Sequence, residues 1–458
     1  MIVEESLMSK NIAVILAGGE GNRFKAAIPK QFIKLAGKPV IEYTLAAFED
    51  HPLIDEIVVV VRKDYEDKVW EIVKKNSFNK VQKIIRGGRD RFDSTFSALQ
   101  SLKGYPNDTK VLFHDAVRPL VDEETITKTI DALDGYNAVD TAIDATDTII
   151  EIDENWIIKN IPNRAYMKRG QTPQGFRLGI LQKAYQKALE RGQRAFTCDC
   201  GVIDTILPEE KIKVVRSNEK NIKITYPIDL YVAEKYIQMG TTKSLEDVDV
   251  KRLIGKKIVI FGNSRGIGKK IEELASLYGA NVVGCSRKTG VDVSNIKDVT
   301  SFLKNVGEDI DIVINTAAVL VKKPLELMNF EEIDKVIDIN YKGAVNVAYA
   351  SKTYLEKTKG MLINFTSSSY TRGRANYAIY SSSKAAIVNL TQALSEEWDN
   401  IRVNCVNPER TNTPMRFENF GYEDPSTLLN AETVARKTLK LALTPYSGII
   451  LDVRKDAK

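Results

Sequence analysis

Twice in this chain a run of β-branched residues stops at a cluster of glycines, once on each side of the midpoint. Ala17-Gly18-Gly19-Glu20-Gly21-Asn22-Arg23 follows the first run, and Gly262-Asn263-Ser264-Arg265-Gly266-Ile267-Gly268 follows the second. Each stop demands a strand–turn–helix unit, because only a tight, side-chain-free turn joins the end of a buried strand to a helix packed on the same sheet. The chain has 458 residues, too many for one ordinary core, so two domains of roughly 200 residues each are expected.

Around the first stop, segments 12–16, 56–61, 81–85 and 110–113 read as short strands, each followed by a loop or an amphipathic stretch. That alternation predicts a mostly parallel sheet flanked by helices. Segments 149–152 and 156–159 bracket Asp153-Glu154-Asn155 and read as a hairpin arm, suited to pairing two copies in a homodimer or simply to exposure. A helix over 230–239, capped by Gly240-Thr241-Thr242, precedes a polar stretch. The expected division is a first domain over 1–242, a connector over 243–252 and a second domain over 253–458. Strands at 257–261, 281–285 and 310–315 with a helix at 269–278 give the second domain the Rossmann pattern, with ligand at the carboxyl ends of the strands. The fold class is α/β, with two doubly wound domains.

Bulk properties exclude several function classes. Net charge is only +5 and no Lys/Arg block stands out from interspersed acids, so nucleic acid is not expected as a partner. Cys198, Cys200, Cys285 and Cys405 are too few and too scattered for a disulfide framework. The Cys198-x-Cys200 pair has no second pair, and with only two histidines a structural zinc site is not expected. The first ten residues carry no apolar leader, and no stretch nears the roughly 20 apolar residues that cross a bilayer. A cytoplasmic protein with reduced thiols and no membrane partner is the expectation.

The first glycine stop suits a nucleoside triphosphate. Arg23 and Lys30 flank the loop with fixed positive charge, and Gln31 packs or pairs locally. Asp115, in His114-Asp115-Ala116-Val117-Arg118-Pro119, falls at a strand's carboxyl end. There it either holds Mg²⁺ together with substrate phosphates or caps a turn. Ala17-Gly18-Gly19-x-Gly21-x-Arg23, Pro29-Lys30-Gln31, Gly87-Gly88-x-x-Arg91-x-Asp93-Ser94, His114-Asp115-Ala116-x-Arg118-Pro119, Thr172-Pro173-Gln174 and Asn221-Ile222-Lys223-Ile224-Thr225-x-Pro227-x-Asp229-Leu230 occur in order over about 10–237. This set resembles the cytidylyltransferase family that handles methylerythritol and ribitol phosphates. The resemblance implies CTP bound by Leu16, Ala17, Gly18, Gly19, Gly21, Gly88, Ser94, Asp115 and Ala116, with Mg²⁺ on Asp115. It also implies Arg23, Lys30 and Lys223 at the α-phosphate, and Arg118 and Arg164 on the sugar phosphate, one of them across a dimer interface.

Such chemistry needs no general base, because the nucleophile is an already ionised phosphate oxygen. It needs in-line positioning and neutralisation of accumulating negative charge. His114 is therefore expected to be structural and His51, before Pro52, to sit in a surface loop.

The second stop suits a nicotinamide cofactor. Gly262-x-x-x-Gly266-x-Gly268 is joined by Asn315-Thr316-Ala317-Ala318, Asp338-Ile339-Asn340, Ser367 and Tyr380-x-x-x-Lys384. The set resembles the short-chain dehydrogenase/reductase family over 253 to about 453. Tyr380 must give a proton to a carbonyl oxygen, and its ordinary pKa of about 10 calls for a nearby cation. Four residues along a helix place Lys384 on the same face. Ser367, chosen over Ser368 and Ser369 by its spacing to Tyr380, would hold the substrate oxygen, and Asn340 would orient the lysine through a water. The resemblance implies cofactor contacts from Gly262, Ser264, Arg265, Gly266, Ile267, Gly268, Ser286, Arg287, Asp292, Val293, Asn315, Ala317, Tyr380 and Lys384.

NADPH is expected over NADH, because the second strand ends Cys285-Ser286-Arg287-Lys288 without an acid and Arg265 lies in the turn. The family's Pro-Gly is replaced by Pro408-Glu409, and the domain is short. Arg372 and Arg374, in the loop between Ser367 and Tyr380, are expected to bind a sugar phosphate, with Arg410 and Arg416 as the alternative.

The whole chain resembles bifunctional reductase–cytidylyltransferases of bacterial capsule synthesis. This implies reduction of D-ribulose 5-phosphate to D-ribitol 5-phosphate, then reaction with CTP to give CDP-ribitol and pyrophosphate. The alternatives are another polyol phosphate, such as 2-C-methyl-D-erythritol 4-phosphate, or a reductase domain that serves only as a dimerisation scaffold.

Overall fold

Valine and isoleucine fill the strands on both faces, the signature of a sheet covered by helices on each side. In the computed structural model, which describes residues 10–19, 24 and 28–455 (without the side chains of 241–244), this is what the first sheet becomes. Its order is Lys168–Gly170, Ala138–Asp144, Gln174–Arg177, Lys110–Asp115, Asn11–Ala17, Glu56–Val61, Val81–Arg86, with Ile212–Arg216 also on Ala138–Asp144. Strand Asn11–Ala17 runs parallel to both neighbours, whereas Gln174–Arg177 and Lys168–Gly170 enter antiparallel. The period-two alternation sends Ile12 and Val14 towards helices Arg91–Ser101, Leu178–Glu190 and Asp199–Ile206. Ala13 and Ile15 face Val40–Glu49, Glu66–Asn76 and Glu123–Ala132.

The second sheet has the order Asn281–Cys285, Lys257–Phe261, Ile312–Asn315, Met361–Phe365, Arg402–Pro408, Ile450–Val453, and every pairing is parallel. The strand order reverses at Lys257–Phe261, so the crevice outside its carboxyl end is the natural ligand site. The chain packs as two compact units, Met1–Glu234 and Lys235–Lys458.

Three expectations are corrected. The helix expected over 230–239 spans Pro227–Ser244 and passes through Gly240 rather than ending there. Proline suits a first helical position, and Asp229 accepts from the backbone N–H groups of Thr225 and Tyr226, at 2.7 and 2.8 Å, which fixes the earlier start. His51 is buried rather than exposed: Nε2 meets Thr127 Oγ1 at 3.0 Å and Nδ1 accepts from the Leu53 N–H at 3.2 Å. The strand expected over 310–315 is shorter, Ile312–Asn315. The hairpin arm forms, pairing Glu151–Ile152 with Ile158–Asn160, and leaves Trp156 84% exposed.

Candidate active sites

In the first unit the carboxyl ends of Asn11–Ala17 and Lys110–Asp115 stand side by side, Leu16 opposite Asp115. Ala116 N–H donates to the Leu16 carbonyl at 3.0 Å and closes that edge. Gly18, Gly88 and Ser94 converge as expected: the Gly88 N–H donates to Ser94 Oγ at 3.2 Å, and a Cβ on Gly18 would lie 3.3 Å from the same oxygen. Gly88 is sterically obligatory, since its Cβ would lie 2.1 Å from that of Asp93. Buried Gln31 pairs locally, donating to the Ala17 carbonyl at 2.7 Å. Gly21 and Arg23 lie outside the described residues.

Asp115 is the electrostatic centre of this edge. Its Oδ1 takes Arg91 Nη1 at 2.9 Å, and its Oδ2 takes Lys223 Nζ at 3.1 Å and Arg118 Nε at 3.3 Å. Those cations, Arg91 foremost, outweigh burial and hold its carboxyl far below the usual carboxylate range. Lys30 Nζ donates to the Ile224 carbonyl at 2.7 Å, which brings Lys30 and Lys223 to the same segment. Among the described residues no three His, Cys, Asp or Glu side chains gather closely enough to hold a metal. Asp115 is the shared counter-ion of these three cations, and holding Mg²⁺ would take this one carboxylate together with substrate phosphates.

Arg118 is buried, and its Nη1 donates to the Asn221 carbonyl at 2.7 Å while its Nε meets Asp115. Arg164 is exposed beside the arm, with Nη1 on the Thr146 carbonyl at 3.3 Å. His114 is structural: it contacts the Arg118 carbonyl and Thr172 Oγ1, each at 3.1 Å, and burial pushes its imidazole down to about 4.

Arg91 and Asn221 fall inside sequence motifs that assign them no role, and Asp199 carries no motif at all. Arg91 Nη2 reaches Asp199 Oδ2 at 2.7 Å, and Asp199 Oδ1 accepts from Tyr185 and Thr95 at 2.6 and 2.9 Å. Asn221 Nδ2 donates to the Thr172 carbonyl at 2.8 Å.

In the second unit a cleft of about 1060 Å³ opens over the strand ends. Gly262 and Gly266 adopt φ of 89° and 61°, and a Cβ on Gly268 would come within 2.4 Å of the Gly262 carbonyl oxygen. Thr316, unassigned in the sequence, holds this turn by donating to the Phe261 carbonyl at 2.9 Å. Asn315 Oδ1 accepts from the Ala317 N–H at 3.2 Å. The buried Ser286 Oγ has no hydrogen-bond partner among the described residues, and exposed Arg287 follows it. Ser264, Ile267, Asp292 and Val293 line the same cleft. Asp292 also accepts from Ser294 N–H and Oγ–H, at 2.9 and 2.7 Å. An open glycine turn, an orphan hydroxyl and an adjacent arginine fit a phosphorylated dinucleotide such as NADPH.

Tyr380 and Lys384 lie on the helix Ala378–Glu397, with Lys384 Nζ 5.7 Å from the Tyr380 ring centre. Lys384 is 3% exposed and donates to the Phe365 carbonyl at 2.9 Å. Burial pushes its ammonium down to about 8. Burial pushes the Tyr380 phenol up to about 12, and its hydrogen bond with Ser367 works against that rise. This contact places Ser367 at the tyrosine, while Ser369 hydrogen-bonds Ser367 Oγ at 3.3 Å. Asn340 sits in a π-helical turn, Asp338–Lys342, a local widening common at functional positions. Its amide clasps Val319, accepting from N–H at 2.8 Å and donating to the carbonyl at 2.9 Å, and meets Ser383 Oγ at 3.2 Å.

Two basic expectations are sorted by the cleft. Arg265 forms a two-pronged ion pair with Glu418, so its charge is already balanced. Arg374 lines the cleft with Arg410 and Arg416, and exposed Arg372 does not.

The comparisons with known proteins divide at the same place. Residues 11–239 match the family described as 2-C-methyl-D-erythritol 4-phosphate cytidylyltransferase, and 254–445 match the family described as enoyl-(acyl carrier protein) reductase. A bifunctional ribulose 5-phosphate reductase/CDP-ribitol pyrophosphorylase of Haemophilus influenzae is 47% identical over 97% of this chain and 96% of its own. The 2-C-methyl-D-erythritol 4-phosphate cytidylyltransferase of Thermobifida fusca is 39% identical over 50% of this chain and 94% of its own. The solved 4-diphosphocytidyl-2C-methyl-D-erythritol synthase of Anaerococcus prevotii is 35% identical, with a TM-score of 0.45 over 50% of this chain and 99% of its own.

Proposed function

Because the chain belongs to the bifunctional ribulose 5-phosphate reductase/CDP-ribitol pyrophosphorylase family, we propose that its second unit reduces D-ribulose 5-phosphate with NADPH and its first couples the product to CTP. The observation that carries this reading is similarity running through both units to one relative, over 97% of this chain and 96% of its own. In the reductase, Ser367 holds the ketone oxygen and Tyr380 gives it a proton. Lys384 keeps a positive charge beside the phenol, and Asn340 pins the Val319 segment that lines the cleft. Bound NADPH supplies the hydride that arrives at the carbonyl carbon, yielding D-ribitol 5-phosphate.

In the transferase, a phosphate oxygen of ribitol 5-phosphate attacks the α-phosphorus of CTP and pyrophosphate leaves, giving CDP-ribitol. Lys30, Lys223 and Arg23 neutralise the charge that accumulates there, and Leu16, Ala17, Gly18, Gly19, Gly88 and Ser94 cradle the nucleotide. Asp115, gripped by Arg91 and Arg118, sets the position of Lys223. Asp115 would hold Mg²⁺ together with the phosphates of CTP, and the ion would shield their negative charge. Among the described residues no helix is long and apolar enough to cross a membrane. We assign the enzyme to the cytoplasm as a homodimer paired through the exposed arm, with Arg164 beside that interface, and CDP-ribitol to surface polysaccharide synthesis.

The test is CTP-dependent pyrophosphate release against a panel of alditol and erythritol phosphates. Ribitol 5-phosphate should be the preferred acceptor, and preference for 2-C-methyl-D-erythritol 4-phosphate would replace this reading.

A further inference from the structure

The cationic groups of the reductase cleft fall into two sets, separated along the sheet. Arg287 follows the strand Asn281–Cys285, whereas Arg374 and Arg410 follow Met361–Phe365 and Arg402–Pro408, three and four places along the strand order. Neighbouring strands lie about 4.8 Å apart, so roughly 14–19 Å separates the two strand ends from that of Asn281–Cys285. One phosphate cannot serve both sets. Strands Met361–Phe365 and Arg402–Pro408 are direct neighbours, so the loops after them converge on one place.

That place is tied to the reacting end of the cleft. Tyr377 packs edge-on against both Tyr380 and Phe420, with ring centres 6.2 and 6.1 Å apart. The Arg416 guanidinium lies 3.7 Å from the centre of the Phe420 ring and pairs with Glu423, Nη2 to Oε1 at 2.8 Å. Glu423 is held most closely by Arg416. Arg410 Nη1 makes a longer ion pair with the same carboxylate, at 3.9 Å, so the two arginines share one negative charge, and Arg374 has no ion pair or hydrogen bond among the described residues. Arg374, Arg410 and Arg416 thus stand against the single carboxylate of Glu423, and Arg374 and Arg410 are the two not closely matched by it.

We propose that Arg374 and Arg410 clamp the phosphate ester of the ketose substrate, with the Glu423–Arg416–Phe420 contact fixing the wall from which Arg410 reaches. This rests on the reading of the second unit as a ketose-phosphate reductase. A phosphate dianion takes forked, charge-assisted hydrogen bonds from guanidinium groups, so the clamp makes the phosphate a requirement for productive binding. Arg287, at the far end of the cleft, is left to the cofactor.

The test compares D-ribulose 5-phosphate with unphosphorylated D-ribulose, using full-length protein. Arg374→Ala and Arg410→Ala should each raise the KM for D-ribulose 5-phosphate about 10- to 100-fold, the range expected for one charge-assisted hydrogen-bonding group. The kcat/KM for D-ribulose and the KM for NADPH should hold, and Arg374→Lys should recover part of the loss. Arg372→Ala should change nothing. Cytidylyl transfer and NADPH binding report that each variant is folded, and if Arg410→Ala fails them, Arg374→Ala alone decides. Variants that keep full preference for the phosphorylated ketose overturn the clamp alone. Equal losses on both ketoses overturn it too, because the arginines then do not act through phosphate. A wild-type protein that reduces no pentulose phosphate overturns the underlying reading, and the clamp with it.

Discussion

Arg91 and Asp115 meet at 2.9 Å in the interior of the first unit, and the other prong of the same guanidinium holds Asp199 at 2.7 Å. One guanidinium thus bridges two buried carboxylates, and it is the one cation paired with Asp199 among the described residues. Asp199 and Asp115 together drive the Arg91 guanidinium further into its charged form despite burial.

Removing that cation leaves buried charge uncompensated. Arg91→Ala should destabilise the first unit by about 3–5 kcal/mol, the usual cost of breaking one side of a buried pair. It should also abolish cytidylyl transfer, while Arg91→Lys, which cannot span both acids with a planar fork, should fall between. Thermal unfolding and pyrophosphate release are the measurements. A variant as stable as wild type would show that the bridge does not carry the site.

Lys384 predicts a pH dependence of opposite sign for activity and stability. Its ammonium is charged below about 8 in the folded chain, while an unfolded lysine keeps its proton to about 10.4. Between those values the unfolded chain binds more protons, so the stability of the second unit should rise with pH across that window. Over the same window the cation beside Tyr380 disappears, so kcat/KM for ketose reduction should fall, with cytidylyl transfer unaffected. A reduction rate that stays level to pH 10 would remove the lysine's charge from the mechanism.

Cofactor choice should follow Arg287 rather than Arg265, because Arg265 is neutralised by Glu418. Arg287→Ala should raise the KM for NADPH far more than that for NADH, and Arg265→Ala should have the smaller effect. Steady-state kinetics with both cofactors decides. Equal changes for both cofactors would show that Arg287 does not meet the 2′-phosphate.

Lys30→Ala should lower cytidylyl transfer about 100- to 1,000-fold, as loss of one transition-state charge contact does, and leave NADPH oxidation intact. Retained transfer would assign the α-phosphate charge to Lys223 alone.

What was legible in the sequence was what is local. Strands that end in glycine, and Tyr380 one helical turn before Lys384, follow from period and spacing, and both gather where expected. What escaped depends on pairs distant in the chain. Arg91 and Asp199 lie 108 positions apart, and Arg265 and Glu418 lie 153 apart, so neither partnership leaves a local pattern. The bond from Arg118 to Asn221, 103 positions on, leaves no local pattern either. His51 looked like a loop residue because Pro52 follows it, yet the helix Glu123–Ala132 covers it.

Two independent active sites on one chain should catalyse consecutive steps. The most direct measurement is the mass of the nucleotide product made by Tyr380→Phe with CTP, NADPH and Mg²⁺, offered D-ribulose 5-phosphate or D-ribitol 5-phosphate in turn. The account predicts CDP-ribitol from ribitol 5-phosphate at the wild-type rate and none from ribulose 5-phosphate. A folded variant that makes CDP-ribitol from neither, or from both, would contradict it.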